Sequence, residues 1–329
     1  MPTHDRSDVR RPMTNPIGVA LAAFGLCGAW GTRAGADVLS AASFVPMTTL
    51  TLQQPESIYA PPEVMPEGQR INAGSVHFNF QFAYFTDFVY RGVELLEPPG
   101  GEDRLNLQMA GKAQFDLGNK VPHPFVSVFV NVADSDPVSN FQAVWPTVGF
   151  DWTIRPFKLS AGNVTYIFPD RDTPDAPATS TAEVRQTSEV FARLEVDDGY
   201  FLNREKPILS PYVYAAYDYD TYNGYYVEAG VKHDFEFEGT GFVLTTEANV
   251  AYISGLQQFY VDPNGRVNSG FQHYQFGAIG QYSLNTLLNI PQRLGEWDLV
   301  GYAYFTDSLD EGLRANTQLW GGVGVTFSY

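Results

Sequence analysis

Between Ser75 and Gly92 the chain reads SVHFNFQFAYFTDFVYRG. Val76, Phe78, Phe80, Phe82 and Tyr84 share one parity, and His77, Asn79, Gln81, Asp87 and Arg91 share the other. Successive side chains of an extended chain point to opposite faces, so the pattern predicts one strand, greasy on one face and wet on the other. The stretch exceeds an ordinary globular strand of about 5–6 residues. It suits a tilted strand crossing a bilayer, which needs about 9–11 residues plus its ends. In lipid no water satisfies a free backbone group, so such strands must close into a barrel.

The same alternation recurs down to Tyr329. Leu105, Leu107, Met109, Ala113 and Phe115 oppose Asn106, Gln108, Lys112 and Gln114. Val126, Val128, Val130 and Val132 oppose Ser127 and Asn131. Val148, Phe150, Trp152 and Ile154 oppose Thr147, Asp151, Thr153 and Arg155. Phe157–Phe168 changes parity near Gly162-Asn163, which predicts a bulge. Further strands are read around Val190–Val196, Val213–Asp218, Tyr225–Asp234, Phe242–Val250, His273–Tyr282 and Asn316–Tyr329. Trp297–Asp307 is apolar on both parities, so its facing stays open. Pro146 and Pro211 are placed near strand starts, where a missing donor is tolerated. The reading is all-β: a transmembrane antiparallel up-and-down barrel of about twelve strands over 75–329, an even number as in single-chain bacterial barrels.

The segments before it fit an exported chain. Arg10 and Arg11 precede the short apolar run Pro16–Gly31, and Ala34-Gly35-Ala36 forms a small-residue cleavage site, so 1–36 reads as a signal peptide. Cys27 leaves with it; Leu26 suits a lipidation site poorly. Residues 37–74 carry Pro46, Pro55, Pro61, Pro62 and Pro66 and read as a periplasmic leader rather than a plug or a partner-binding tail. The expected location is the cell outer membrane, with lipid and the barrel-assembly machinery as partners. With the N-terminus in the periplasm, the long connections Val93–Asp103, Pro169–Gln186 and Gly255–Gly270 face outward. Phe201–Pro207 and Thr286–Glu296 are long for periplasmic turns.

Composition excludes some functions. Aromatics make up 15% of the residues and charged residues 17%, at a net charge of −17. That suits a lipid-facing surface with aromatic girdles and argues against nucleic acid. Mean hydropathy is −0.18, which leaves no room for a bundle of membrane helices.

Three stretches resemble a family of uncharacterised bacterial barrels sometimes labelled Gcw_chp. They are FTDFVYRGVELLEPPGG (Phe85–Gly101), SAGNVTYIFPD (Ser160–Asp170) and LSPYVYAAYDYDTYNGYYVEAGVKH (Leu209–His233). Arg91-Gly92 is the most distinctive element; Asn163 and Ile167 stand where aromatics are expected. The resemblance implies a fold and a location, not a reaction.

The wet parity supplies the candidate lumen residues: Asp87, Arg91, Lys112, Asp151, Arg155, Glu189, Arg193, Asp218, Glu228, Lys232 and Glu247. They allow a narrow, weakly cation-preferring pore for small solutes. They equally allow a lumen closed by paired charges, with a structural or adhesion role for the outer loops. None of His77, His123, His233 and His273 lies in an HxS or GxSxG setting, so no catalytic residue is assigned. Pro169–Asp175 lacks the glycine and terminal glutamate of a calcium loop, and no metal or cofactor is expected. Phe327 and Tyr329, ending an amphipathic strand, are the expected assembly signal.

Overall fold

The computed structural model describes residues 76–94, 106–117, 121–133, 141–169, 186–255, 269–310 and 317–329. The signal and leader segments 1–36 and 37–74, and most of the acidic stretch Pro169–Asp175, lie outside them. The chain alternates as the sequence predicts: β1 (Val76–Phe85), β4 (Asn106–Phe115), β5 (His123–Ala133), β6 (Phe141–Ile154), β7 (Phe157–Ile167), β8 (Gln186–Val196), β9 (Tyr212–Asp218), β10 (Gly224–Phe237), β11 (Phe242–Ser254), β12 (Ser269–Ser283), β13 (Glu296–Ser308) and β14 (Gln318–Ser328). These twelve strands pair with their chain neighbours, and β1 pairs antiparallel with β14 to close the barrel. Two short strands, β2 (Val89–Tyr90) and β3 (Val93–Glu94), form a separate hairpin.

The greasy face is outside. Phe82 is 54% exposed, Val148 56%, Phe276 55% and Val323 55%, whereas the inward Gln81, Asn131, Gln275 and Thr306 are each 2% or less. A soluble barrel needs the reverse arrangement, because water rather than hydrocarbon would meet its outer surface. The closed sheet with an apolar outer face and a polar lumen is that of an outer-membrane barrel.

Three local readings are corrected and one left open is settled. β1 does not run from Ser75 to Gly92; it ends at Phe85, and the chain then turns into the hairpin of β2 and β3. The predicted bulge at Gly162-Asn163 is absent, since β7 keeps one register against both β6 and β8 through that point. What changes there is the content of the lumen: the inward Val164 and Tyr166 are buried against other apolar groups. Pro146 lies within β6 and pairs with Val128. The ladder toward β7 is interrupted beside it, between the pairs Val144↔Ile167 and Thr147↔Val164, where the missing N–H would fall. Finally, β13 resolves its ambiguous facing by burying Val300, Tyr302, Tyr304 and Thr306 inside.

The two long turns contain short capped helices. In the first, Asp197 caps Asp198–Leu202 by accepting from the Tyr200 N–H at 3.3 Å. In the second, Ser283 caps Leu284–Leu288 through the Thr286 N–H at 3.2 Å. Both helices end on a left-handed Asn, Asn203 and Asn289. They expose Tyr200, Phe201, Leu202, Leu287 and Leu288, each by half or more. Apolar and aromatic residues at a strand-end rim suit the bilayer interface, and both long turns present such residues there.

Asp198 holds the first turn. Its carboxylate accepts backbone N–H bonds from Ile208 at 2.8 Å, Leu209 at 2.9 Å and Ser210 at 3.4 Å. Partial burial pushes the Asp198 carboxyl up, but these donors outweigh it and hold it below the usual carboxylate range. A carboxylate with a depressed folded pKa stabilises the turn above its unfolded pKa of about 3.9, and that stabilisation fades as pH falls through the folded value. Hydrogen-exchange protection of the Ile208, Leu209 and Ser210 amides is therefore expected to fall below about pH 4. In Asp198→Ala it is expected to be about tenfold lower already at pH 7, the worth of a charge-assisted hydrogen bond.

Candidate functional site: the occupied lumen

After β1, the chain folds back into the barrel. The turn Tyr90-Arg91-Gly92-Val93 has φ of 50° at Arg91 and 73° at Gly92. Positive φ at both central residues is the signature of a type I′ hairpin, whose twist matches its two strands. Gly92 is required twice over. Its φ is left-handed, and a Cβ there would lie 2.7 Å from the His273 ring. The hairpin thus abuts β12 on the inner wall. A bulge between Ala251 and Tyr252 in the β11–β12 pairing leaves Gln272 as the extra residue, so that Gln272 and His273 are both fully buried. Gln272 Nε2 donates to the Arg91 carbonyl at 2.9 Å.

The hairpin's side chains fill the lumen. Phe88, Val89, Tyr90 and Val93 are each 4% exposed or less. Phe88 lies 6.0 Å from Phe129 and 5.5 Å from Trp145, centroid to centroid, and Tyr90 lies 5.1 Å from Trp145 and 5.7 Å from Tyr166. On the opposite side Phe85, Tyr302, Tyr304 and Trp320 form a second aromatic stack, with Tyr304 and Trp320 at 4.4 Å.

Arg91 is the centre of this arrangement and is 1% exposed. Its Nη1 and Nη2 donate to the two Glu189 oxygens at 2.8 and 2.7 Å, a bidentate pair. Tyr166 OH donates to the same carboxylate at 2.8 Å and receives from Tyr90 OH at 2.8 Å. The guanidinium stacks 4.1 Å above the Tyr226 ring and 4.9 Å above Tyr90. One side chain therefore ties the hairpin to β8 and β10, and through the Glu189 carboxylate to Tyr166 of β7.

Below the hairpin, charges are paired in separate groups. Asp151 accepts from Lys112 Nζ at 2.5 Å, from Ser160 Oγ at 2.5 Å and from Gln114 at 3.2 Å. Glu195 is flanked by Lys158 and Arg193 at 3.5 Å and by Lys232 at 3.7 Å. Glu228 accepts from Tyr212 OH at 2.8 Å and Tyr226 OH at 2.7 Å, and Arg193 stacks 3.8 Å above Tyr212. Glu247 is 7% exposed on the same inner wall.

Most of the lumen residues read from the sequence thus face inward, with changes of role. Asp87 and Arg91 belong to the inserted hairpin and not to the barrel wall. Asp218 is 1% exposed, but its carboxylate receives Thr187 Oγ1 at 2.5 Å and the N–H groups of Thr221 and Tyr222 at 3.0 and 2.9 Å, so it closes the loop after β9. Arg155 is a correction. It sits exposed in the tight turn between β6 and β7, outside the lumen, because a chain reversal breaks the period-2 register. The sequence reading missed Tyr90, Tyr166, Tyr214, Tyr226 and Gln272. A signal existed: Phe129, Trp145, Tyr166, Tyr214, Tyr226, Tyr304 and Trp320 all lie on the inward parity, and a water-filled channel has little use for so many rings.

No protein-family model matches the chain, and no curated protein matches it. Solved outer-membrane structures do. The NanC porin is 10% identical, with 76% of this chain and 98% of the porin covered at a TM-score of 0.40. An outer membrane channel from Pseudomonas putida F1 is 8% identical, covering 81% and 100% at 0.41. The translocator domain of the autotransporter NalP from Neisseria meningitidis is 12% identical, covering 79% and 91% at 0.35.

Proposed function

We propose that this chain is a porin-like barrel held closed by its own Phe88–Val93 hairpin, passing small solutes only when that hairpin leaves the lumen. The observation that carries the reading is the burial of Arg91 at 1% within its bidentate pair to Glu189. Residues lining an open aqueous channel are wetted, whereas Arg91, Lys112, Glu189 and Glu228 are all 4% exposed or less. With the hairpin withdrawn, the remaining wall carries Asp151, Glu189, Glu195, Glu228 and Glu247 against Lys112, Lys158, Arg193 and Lys232. That excess supports a weak preference for cations. The reading also keeps the chain with the uncharacterised barrels its Arg91-Gly92 element resembles, and gives that element a task, as the turn of the plug.

Planar-bilayer recording tests it. Wild-type protein is expected to be silent apart from rare openings. A variant lacking Phe88–Val93, shown to be folded by its heat-modifiable mobility, is expected to conduct steadily with a cation-side reversal potential. Steady conductance of the wild type would show that the hairpin does not close the barrel. A folded deletion variant that stays silent would leave the structural or adhesion role through the outer loops as the better reading.

A further inference from the structure

At the tight-turn end, the seam between β1 and β14 carries a groove of about 550 Å³ on the outer, lipid-facing surface. Its walls are Phe78, Phe80, Phe327, Tyr329 and Leu294, and its single charged lining residue is Arg293. The rings are ordered: Phe78 and Phe80 stack at 6.5 Å, Phe80 and Phe327 at 6.2 Å, and Phe327 and Tyr329 at 6.4 Å. Arg293 is exposed on the short 3-10 turn Gln292–Leu294. That turn is fixed against the seam, since a Cβ on Gly295 would strike the Phe327 ring at 2.3 Å. Asn285 locks it further by donating to the Gly295 carbonyl at 2.9 Å and accepting from the Trp297 N–H at 2.6 Å.

We infer that this groove holds one glycerophospholipid, with an acyl chain along the four rings and the phosphate on Arg293. The position selects the occupant. The groove opens to hydrocarbon, while Arg293 sits at the rim beside the exposed Leu287 and Leu288, where headgroups lie. A guanidinium matches a phosphate diester in charge and in planar donor geometry. In a chain of net charge −17, the one charged side chain that lines this groove is a cation. Strand-borne rings and a hydrogen-bonded turn give the site a fixed shape.

The test is native mass spectrometry of the delipidated, folded barrel titrated with phosphatidylglycerol. Diacylglycerol, which keeps the tails, and glycerol phosphate, which keeps the headgroup chemistry, serve as controls. One phosphatidylglycerol is expected to be retained per barrel and neither control to be retained. Arg293→Ala is expected to weaken retention at least about tenfold, the worth of a charge-assisted hydrogen bond. Phe78→Ser is expected to weaken it as well, by removing apolar contact with the chain. Both positions are at the surface, and heat-modifiable mobility shows that the variants fold. Equal retention of diacylglycerol, or undiminished retention by Arg293→Ala, would overturn the phosphate assignment and with it the site. Retention of glycerol phosphate alone would show a free-phosphate site and overturn the lipid. The result does not depend on whether the lumen conducts.

Discussion

Replacing Arg91 by alanine is expected to destabilise the folded barrel by about 3–5 kcal/mol, the effect of removing one partner of a buried ion pair. The loss is large because Glu189 stays behind at 4% exposure with no cation beside it. Tyr166 still donates to that carboxylate, but one hydrogen bond from a neutral donor does not replace a bidentate charged pair. The stacking of the guanidinium over Tyr226 disappears as well. Denaturant unfolding in detergent micelles measures the effect, read as a lower midpoint at unchanged slope. Glu189→Gln, which leaves Arg91 buried without its counter-charge, should fall in the same range. The double variant Arg91→Met, Glu189→Leu is expected to recover much of the loss, since apolar groups of similar volume avoid the desolvation of both charges. If Arg91→Ala lowered the unfolding free energy by less than about 1 kcal/mol, in the range of an exposed pair, the hairpin would be wetted in solution and the closed-lumen reading would fail.

Deleting Val325–Tyr329 is expected to abolish assembly altogether. These residues pair with both neighbours: Ser328 with Asn79 and Glu296, Phe327 with Phe80 and Trp297, and Val325 with Phe82 and Leu299. Tyr329 adds a reciprocal pair of bonds with Phe78 at 2.8 Å in each direction. Without them the lower parts of β1 and β13 present free backbone groups to hydrocarbon, each costing several kcal/mol. The seam also has little tolerance for bulk, because a Cβ on Gly324 would stand 2.5 Å from the Phe82 carbonyl and 2.6 Å from the Ala83 Cβ. We propose in addition that the assembly machinery recognises this terminal aromatic strand through Phe327 and Tyr329, which adds a kinetic reason. Material from the deletion variant is expected to be exported, processed and then degraded. A protease-resistant, heat-modifiable band from that variant would contradict both the closure role and the signal role.

The alternation of side chains settled the architecture from the sequence alone. Eleven stretches that alternate with period two, with Trp297–Asp307 as a twelfth strand, leave a closed barrel as the form that satisfies every backbone group, and residues such as Phe82, Lys112 and Glu228 could be assigned to a face by parity. Facing is a local property, so it was readable one strand at a time wherever the strand alternates; Trp297–Asp307, apolar on both parities, had to wait for the fold. What the lumen contains was not readable. In FTDFVYRG the polar parity resumes at Asp87 and Arg91 beyond Phe85, so parity alone does not mark the place where the strand ends. The reversal there depends on Glu189, Tyr226 and Gln272, which are 98, 135 and 181 residues from Arg91 in sequence, and on a bulge in β12 that delivers Gln272 to the inner wall. Partners so remote meet only after the barrel has closed. The sequence therefore determined the wall, and the tertiary structure decided that the wall encloses its own first hairpin.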